Sequence, residues 1–361
     1  MTKKQICRMI AFTLVVCTML LLLCDVFELS DTGYIPIRFK TFYSLNDDTL
    51  DAAFIGSSGV DRYWVAPKAY EEYGMTVFPF ASDAMPPWLY VEAIDEIYKY
   101  HTPELIIVNA RVYGQNNSKV STVETRARRL LDAMDFFSVN RVKVAFKTME
   151  VLRKIDPEQP KFNLSLLLPF VKYHSKWADD DFSISDNLNP AKNQYMGFYT
   201  SPTLSVKSKK NKSFVYDNDY YKDLDPIAEE ALYELLDYAE EKGIKLLFVE
   251  TPRRMDEKDM GYLNSLFRIL DERDVPYLNY SQTDSDGNFT NMPGLDRNHD
   301  FYNKNHVNYY GAEEFTSVLS AYLDENYDLP DRRTDPAVKE HWDGLYDNLK
   351  QAIKAWEEAK N

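Results

Sequence analysis

The stretch Asp51-Ala52-Ala53-Phe54-Ile55-Gly56-Ser57-Ser58 decides how this chain is read. Residues 51–55 read as a short strand buried on both faces, because the apolar run has no polar alternation. Gly56 ends the run, and the paired serines Ser57 and Ser58 follow in what reads as a tight turn. A turn there exposes the Ser58 hydroxyl at the edge of a sheet. The helix expected next offers backbone N–H groups to a developing oxyanion.

Downstream of this strand, β and α signals alternate. Strands are expected at 76–79, 105–108, 244–249 and 275–278, and helices at 86–100, 226–242, 256–273 and 312–323. Pro86 and Pro87 suit the first turn of one helix, and Gly243 stops another. Such alternation predicts an α/β domain, residues 51–330, whose mostly parallel sheet is covered on both faces. Residues 115–225 interrupt the pattern as an insertion. It holds a basic helix (Arg126, Arg128, Arg129), a second helix around 142–152 and a Ser/Asn/Lys-rich loop at 187–213. Long loops of such sheets sit at the strand C-termini, so the insertion reads as a lid or docking surface, or as a structural excursion. Residues 29–50 read as a polar connector with little pattern. Residues 331–361 end the chain with one helix over 336–356. Its Val338, Trp342, Leu345, Leu349, Ile353 and Trp356 share a face expected to pack on the domain, with a partner-binding helix as the alternative.

The N-terminus carries a different signal. Lys3, Lys4 and Arg8 precede an uncharged run from Met9 to Cys24, and Asp25 and Glu28 follow it. Residues 1–28 therefore read as an uncleaved transmembrane anchor with a cytoplasmic tip and the remainder outside. A cleaved signal peptide is the alternative, but no small-x-small site follows the run. All three cysteines (Cys7, Cys17, Cys24) lie in this segment, so the exported part has no disulfide, zinc thiolate or cysteine nucleophile. The net charge of −15 excludes the basic surface that nucleic acid requires. With 45% hydrophobic residues the chain has material for a full core. No HExxH, P-loop, GxGxxG, CxxC or EF-hand pattern occurs, so no metal or cofactor is expected.

His306 lies in His306-Val307-Asn308-Tyr309-Tyr310-Gly311, just before the last helix of the domain. Histidine is the natural general base for a serine nucleophile at neutral pH. Taken together, Phe54-Ile55-Gly56-Ser57-Ser58 and the block from Asp300 to Ala312 resemble the SGNH (GDSL-like) hydrolase superfamily. The similarity is to its membrane-anchored DltD-like and AlgJ-like branch, which acylates surface polymers. The resemblance covers roughly residues 50–325 without much of the insertion. It implies a three-layer α/β/α, flavodoxin-like fold after one transmembrane helix. It also implies a serine esterase or O-acyltransferase acting on a surface glycan or teichoic-type polymer. Ser58 is then the nucleophile, His306 the base, and a membrane-bound O-acyltransferase the partner.

Two departures from the family pattern matter. The position three before the histidine is Asn303, where the family has its triad aspartate; Asp300 is the nearby carboxylate. Asn303 leaves open a Ser58–His306 dyad, or a degenerate surface protein that binds polymer or a membrane partner. The family's oxyanion blocks are not clear, and Asn109, after the strand 105–108, is the positional match. Arg111 is placed to bind an anionic substrate group. Both residues are equally suited to capping the strand end. His174, in Lys172-Tyr173-His174-Ser175-Lys176-Trp177, is a candidate substrate contact, with a buried structural histidine as the alternative.

Overall fold

Four apolar pentapeptides form the centre of the molecule, and each is buried along its whole length. They are β1 (Ala52–Gly56), β2 (Val77–Ala81), β3 (Leu105–Asn109) and β4 (Leu246–Glu250). Strands buried on both faces need no polar alternation, which is why they read as continuous runs. The computed structural model describes residues 1–27, 34–179, 184, 195–199 and 215–359. With the short β5 (Tyr277–Asn279), these strands make one parallel sheet in the order β2-β1-β3-β4-β5. Helices cover it in a three-layer α/β/α arrangement. Pro79 in β2 is tolerated because β2 is an edge strand.

The chain moves outward in one direction from β1 to β2 and in the other from β3 onward. The direction switches between β1 and β3, and at their carboxyl ends such a sheet opens a crevice. Ser57 and Ser58 follow β1, and Asn109 closes β3, so the fold brings all three to that crevice.

The helices are α1 (Lys3–Val26), α2 (Tyr34–Phe42), α3 (Ser58–Asp61), α4 (Ala66–Tyr73), α5 (Tyr90–Tyr98), α6 (Val120–Leu131), α7 (Val139–Ile155), α8 (Leu164–Leu167) and α9 (Pro169–Tyr173). Beyond the insertion come α10 (Pro226–Lys242), α11 (Glu257–Glu272), α12 (Tyr309–Asn326), α13 (Pro336–Trp342) and α14 (Leu345–Glu358). α1 is long and apolar enough to cross a membrane or act as a signal anchor, with mean hydropathy 2.4 over an 18-residue window of Lys3–Cys24. The loop expected at 187–213 lies outside the described residues except for 195–199.

Two expectations are corrected. Residues 29–50 are not a patternless connector, because α2 buries Ile35, Phe39 and Phe42, spaced by four and three, and Phe42 meets Phe80 of β2 at 4.9 Å. The interleaved Pro36, Arg38 and Lys40 hid that stripe. Residues 336–356 are two helices rather than one. Gly344, at φ +73° in the left-handed region, separates α13 from α14. Their apolar residues pack on the domain, with Trp342 against Tyr70 of α4 at 5.6 Å.

Candidate active site

The tip of β1 is built around one strained residue. Gly56 has φ +151°, and a Cβ there would meet Asn109 Cβ at 2.5 Å and Val60 Cγ2 at 3.0 Å. Only glycine fits a backbone that approaches β3 so closely. The chain then turns, and Ser57 caps α3 by accepting from the Gly59 N–H at 3.3 Å. Ser57 is buried, whereas Ser58, the first residue of α3, is half-buried and faces the crevice. Its N–H belongs to the group at a helix start that has no intrahelical acceptor.

The far end of α3 is anchored from below. Arg38 of α2 reaches Asp61, the Ala81 carbonyl and the Gly197 carbonyl, the last at 2.8 Å. Both Arg38 and Asp61 are fully buried. Breaking such a pair by removing one partner typically costs about 3–5 kcal/mol. The segment read as a connector therefore holds the serine turn in place.

The other half of the site comes from the chain just before α12. β6 (Phe301–Asn303) and β7 (His306–Val307) form a tight antiparallel pair in which Asn303 opposes His306. Asn308 caps α12, accepting from the Gly311 N–H at 3.2 Å and donating to the His299 carbonyl at 2.6 Å. Gly311 is required because a Cβ would lie 2.5 Å from the Asp300 carbonyl oxygen. These contacts account for the Asn308-x-x-Gly311 spacing: it locks the hairpin onto the helix start.

The hairpin brings His306 Nε2 to 2.8 Å from Ser58 Oγ, across 248 positions of sequence. His306 Nδ1 lies 3.2 Å from Asn303 Oδ1, and the Asn305 N–H donates to the same oxygen at 2.8 Å. That second donor turns the oxygen rather than the NH2 of Asn303 toward the ring. The imidazole then carries its proton on Nδ1 and presents a lone pair at Nε2 to the serine hydroxyl. The Tyr302 ring stacks on His306 with centroids 5.6 Å apart, and Arg62 Nη1 donates to the Tyr302 hydroxyl.

Among the described residues, no carboxylate stands behind the histidine. Asp300 does not take that role: its Oδ1 pairs with His299 Nδ1 and its Oδ2 accepts from the Asp296 N–H, both at 2.7 Å. It sits at the start of β6, on the side of the hairpin that braces α12. Burial instead pushes the His306 imidazole down from its ordinary 6.5 to about 2, and the charges of Arg111, Arg62 and Arg253 act in the same direction.

Asn109 is not presented as an oxyanion donor. It is fully buried beneath the turn, where Oδ1 accepts from Ser57 Oγ at 3.0 Å and Nδ2 donates to the Val249 carbonyl at 3.3 Å. It braces the tip of β1 against the end of β4. Its direction was set by the packing of three strand ends.

Arg111 follows Asn109 in a 3-10 turn (Ala110–Gly114). Its Nη2 donates to the Tyr63 hydroxyl at 3.2 Å and to Thr251 Oγ1 at 3.4 Å. Among the described residues it has no carboxylate partner, and its buried Nε has no acceptor. By contrast, Arg62 lies 3.7 Å from Asp83, and Arg253 pairs with Glu250 at 2.6 Å and Asp259 at 2.8 Å. Tyr63 ties this corner to the hairpin, its hydroxyl 2.7 Å from the Asn305 carbonyl.

His174 is neither a buried structural histidine nor part of this cluster. It is exposed, with its ring 5.9 Å from Phe170 and Nδ1 3.2 Å from the Val171 carbonyl. Phe170 packs on Phe27 at the end of α1. Sequence reasoning missed Arg62, Tyr63, Tyr302 and Arg253. Arg62 and Tyr302 were accessible by proximity, being four residues after Ser58 and four before His306. Nothing local marks Tyr63 or Arg253. No family model matches the chain, and no curated protein is significantly similar to it.

Proposed function

We propose that the protein is an extracytoplasmic serine acyl-transfer enzyme, an O-acyltransferase or acyl esterase of SGNH type. The observation that carries this reading is the 2.8 Å contact between Ser58 Oγ and His306 Nε2, with Asn303 Oδ1 at the other ring nitrogen. Ser58 Oγ attacks the acyl carbonyl while His306 takes its proton. The tetrahedral intermediate collapses to an acyl-Ser58, and His306 returns the proton to the leaving oxygen. Water as second acceptor makes an esterase; a sugar or polyol hydroxyl makes a transferase. The N–H of Ser58 supplies an oxyanion donor.

The acceptor in this reading is a surface glycan or teichoic-type polymer. The uncompensated Arg111 at the crevice favours an anionic group on the substrate, whose charge would offset the cations that oppose His306. α1, with Lys3, Lys4 and Arg8 at its start, holds the site outside the membrane beside a membrane-bound O-acyltransferase partner. That partner rests on family analogy.

The test is labelling of the folded full chain with a fluorophosphonate. Labelling is expected for the wild type and lost in both Ser58→Ala and His306→Ala. Labelling that persists in Ser58→Ala would sink the assignment. A second reading, a degenerate polymer-binding protein, is favoured by the missing carboxylate and the depressed His306. It expects no labelling of any folded form, together with retained binding to anionic glycan.

The pH profile adds a separate expectation. Because His306 is held near 2 rather than 6.5, it stays neutral, and able to accept a proton, throughout the range where an ordinary histidine protonates. The labelling rate should therefore show no acid-side inflection near 6.5. An inflection there would mean that burial and the neighbouring cations do not hold the base down.

A further inference from the structure

Outside α1, the exposed large apolar side chains among the described residues are concentrated in one part of the chain. All but Met1, Ile184, Val215 and Tyr221 lie within residues 137–177. Phe137 is 75% exposed, Val139 71% and Trp177 70%, and Val142, Phe146, Phe162, Leu164 and Val171 join them. Val139, Val142 and Phe146 are spaced by three and four, so they form one stripe on α7, opposite its buried Val144, Ala145 and Thr148. An outward apolar stripe on a helix with an intact core face calls for an occupant.

The end of α1 fixes where this surface lies. Phe27 and Tyr173 are buried against each other with Leu23, Val26 and Phe170 around them. The Tyr173 hydroxyl donates to Asp132 at 2.8 Å, and Arg141 Nη1 donates to the Leu167 carbonyl at 2.8 Å. α9, the end of α6 and the start of α7 are thus tied to the last turn of α1. A cavity of about 380 Å³ is lined by Cys24 together with Phe136, Phe137 and Pro169. A helix of 24 residues is roughly 36 Å long, a little more than a hydrocarbon core of about 30 Å. If α1 spans the membrane, its Leu23–Phe27 end lies at the headgroup level, and so do the elements packed on it.

From this placement we propose that the apolar surface of α7, α8, α9 and the turn at Trp177 is a membrane seat. It lies in the headgroup and acyl boundary of the leaflet that α1 leaves. This rests on reading α1 as a transmembrane anchor. Trp and Phe beside lysines are the residues that suit that boundary, since aromatic rings sit at the headgroup level and lysine stems reach out to the phosphates. Lys161, Lys172 and Lys176 flank Phe162, Val171 and Trp177. Residues 137–177 carry eight Lys and Arg against three Asp and Glu; Lys143, Lys147, Lys154 and Lys172 among them pair with Asp95, Glu234, Glu230 and Glu124 of neighbouring segments. The strongly acidic remainder of the chain is kept from the lipid by its own charge. The seat therefore fixes which way the domain faces.

The experiment uses the full chain in vesicles whose lipids are brominated along the acyl chains, read by tryptophan emission. Phe12→Trp in α1 reports on the anchor. Phe137→Trp and Phe146→Trp report on the seat, each as a difference from wild type. Trp177 is read in the wild type against Trp177→Phe, so one probe needs no change in the protein measured. The expected result is quenching at all four positions, deepest-bromine quenching strongest at position 12 and shallow-bromine quenching strongest at 137, 146 and 177. Quenching at 12 alone, with the other three open to acrylamide, overturns the seat and leaves the anchor standing. Positions unquenched by lipid but shielded from acrylamide only in native membranes would replace the lipid with a protein partner. No quenching at 12 removes the anchor and the seat together.

Discussion

Asn303→Asp should raise the rate at which Ser58 is acylated by about ten- to a hundredfold near neutral pH. The geometry for a triad is already present. Asn303 Oδ1 sits 3.2 Å from His306 Nδ1 and is oriented by the Asn305 N–H, so a carboxylate oxygen at that place needs no rearrangement. What the asparagine lacks is charge. When Ser58 gives up its proton, His306 becomes a buried imidazolium beside the guanidinium groups of Arg111, Arg62 and Arg253, with no anion in contact among the described residues. A carboxylate at 303 lowers the energy of that cation, and each unit of histidine pKa regained is worth about 1.4 kcal/mol. Asn303 is exposed, so solvent screens the new charge, which limits the gain to about two decades. The measurement is the second-order labelling rate with a fluorophosphonate, taken across pH. The variant should also acquire an acid-side inflection that the wild type lacks, because its His306 titrates at higher pH. A rate equal to or below wild type would show that imidazolium formation does not limit the reaction. The degenerate-protein reading would then gain.

Gly56→Ala should destabilise the protein by about 3 kcal/mol or more and abolish labelling while Ser58 is still present. Two costs add. The backbone at φ +151° is one that L side chains rarely adopt, and the new methyl carbon would lie 2.5 Å from Asn109 Cβ. Neither neighbour can yield cheaply, because Asn109 is buried with both ends of its amide engaged, and Val60 belongs to α3. Relief by moving the turn would swing Ser58 away from His306. Thermal unfolding of the solubilised full chain gives the stability, and the fluorophosphonate gives the site. An unchanged midpoint with intact labelling would mean that the turn is not built as described.

The parallel sheet was legible because its strands are buried on both faces. Residues 52–55, 105–108 and 246–249 have no other reading than continuous apolar strands between helices of clear period. Ser58 and His306 were legible for a related reason: a strand-glycine-serine turn and a capped helix start are local devices with local signatures. α2 was not legible, since its buried stripe is only three residues long and is interleaved with Pro36, Arg38 and Lys40. The break at Gly344 was hidden by an apolar spacing that runs through it.

By itself, then, the sequence determined the five strands of the parallel sheet, the helix apolar enough for a membrane, and the local turn and cap devices that carry Ser58 and His306. Those follow from period, composition and turn chemistry, which act over a few residues. Directions across the crevice were decided only in the tertiary structure. The packing of three strand ends turned Asn109 inward, the β6–β7 hairpin gave the histidine Asn303 and denied it Asp300, and burial, with Arg111, Arg62 and Arg253 converging from three separate segments, depressed its basicity. Each of these depends on contacts between residues far apart in the chain, and such contacts leave no mark on the local pattern of either partner.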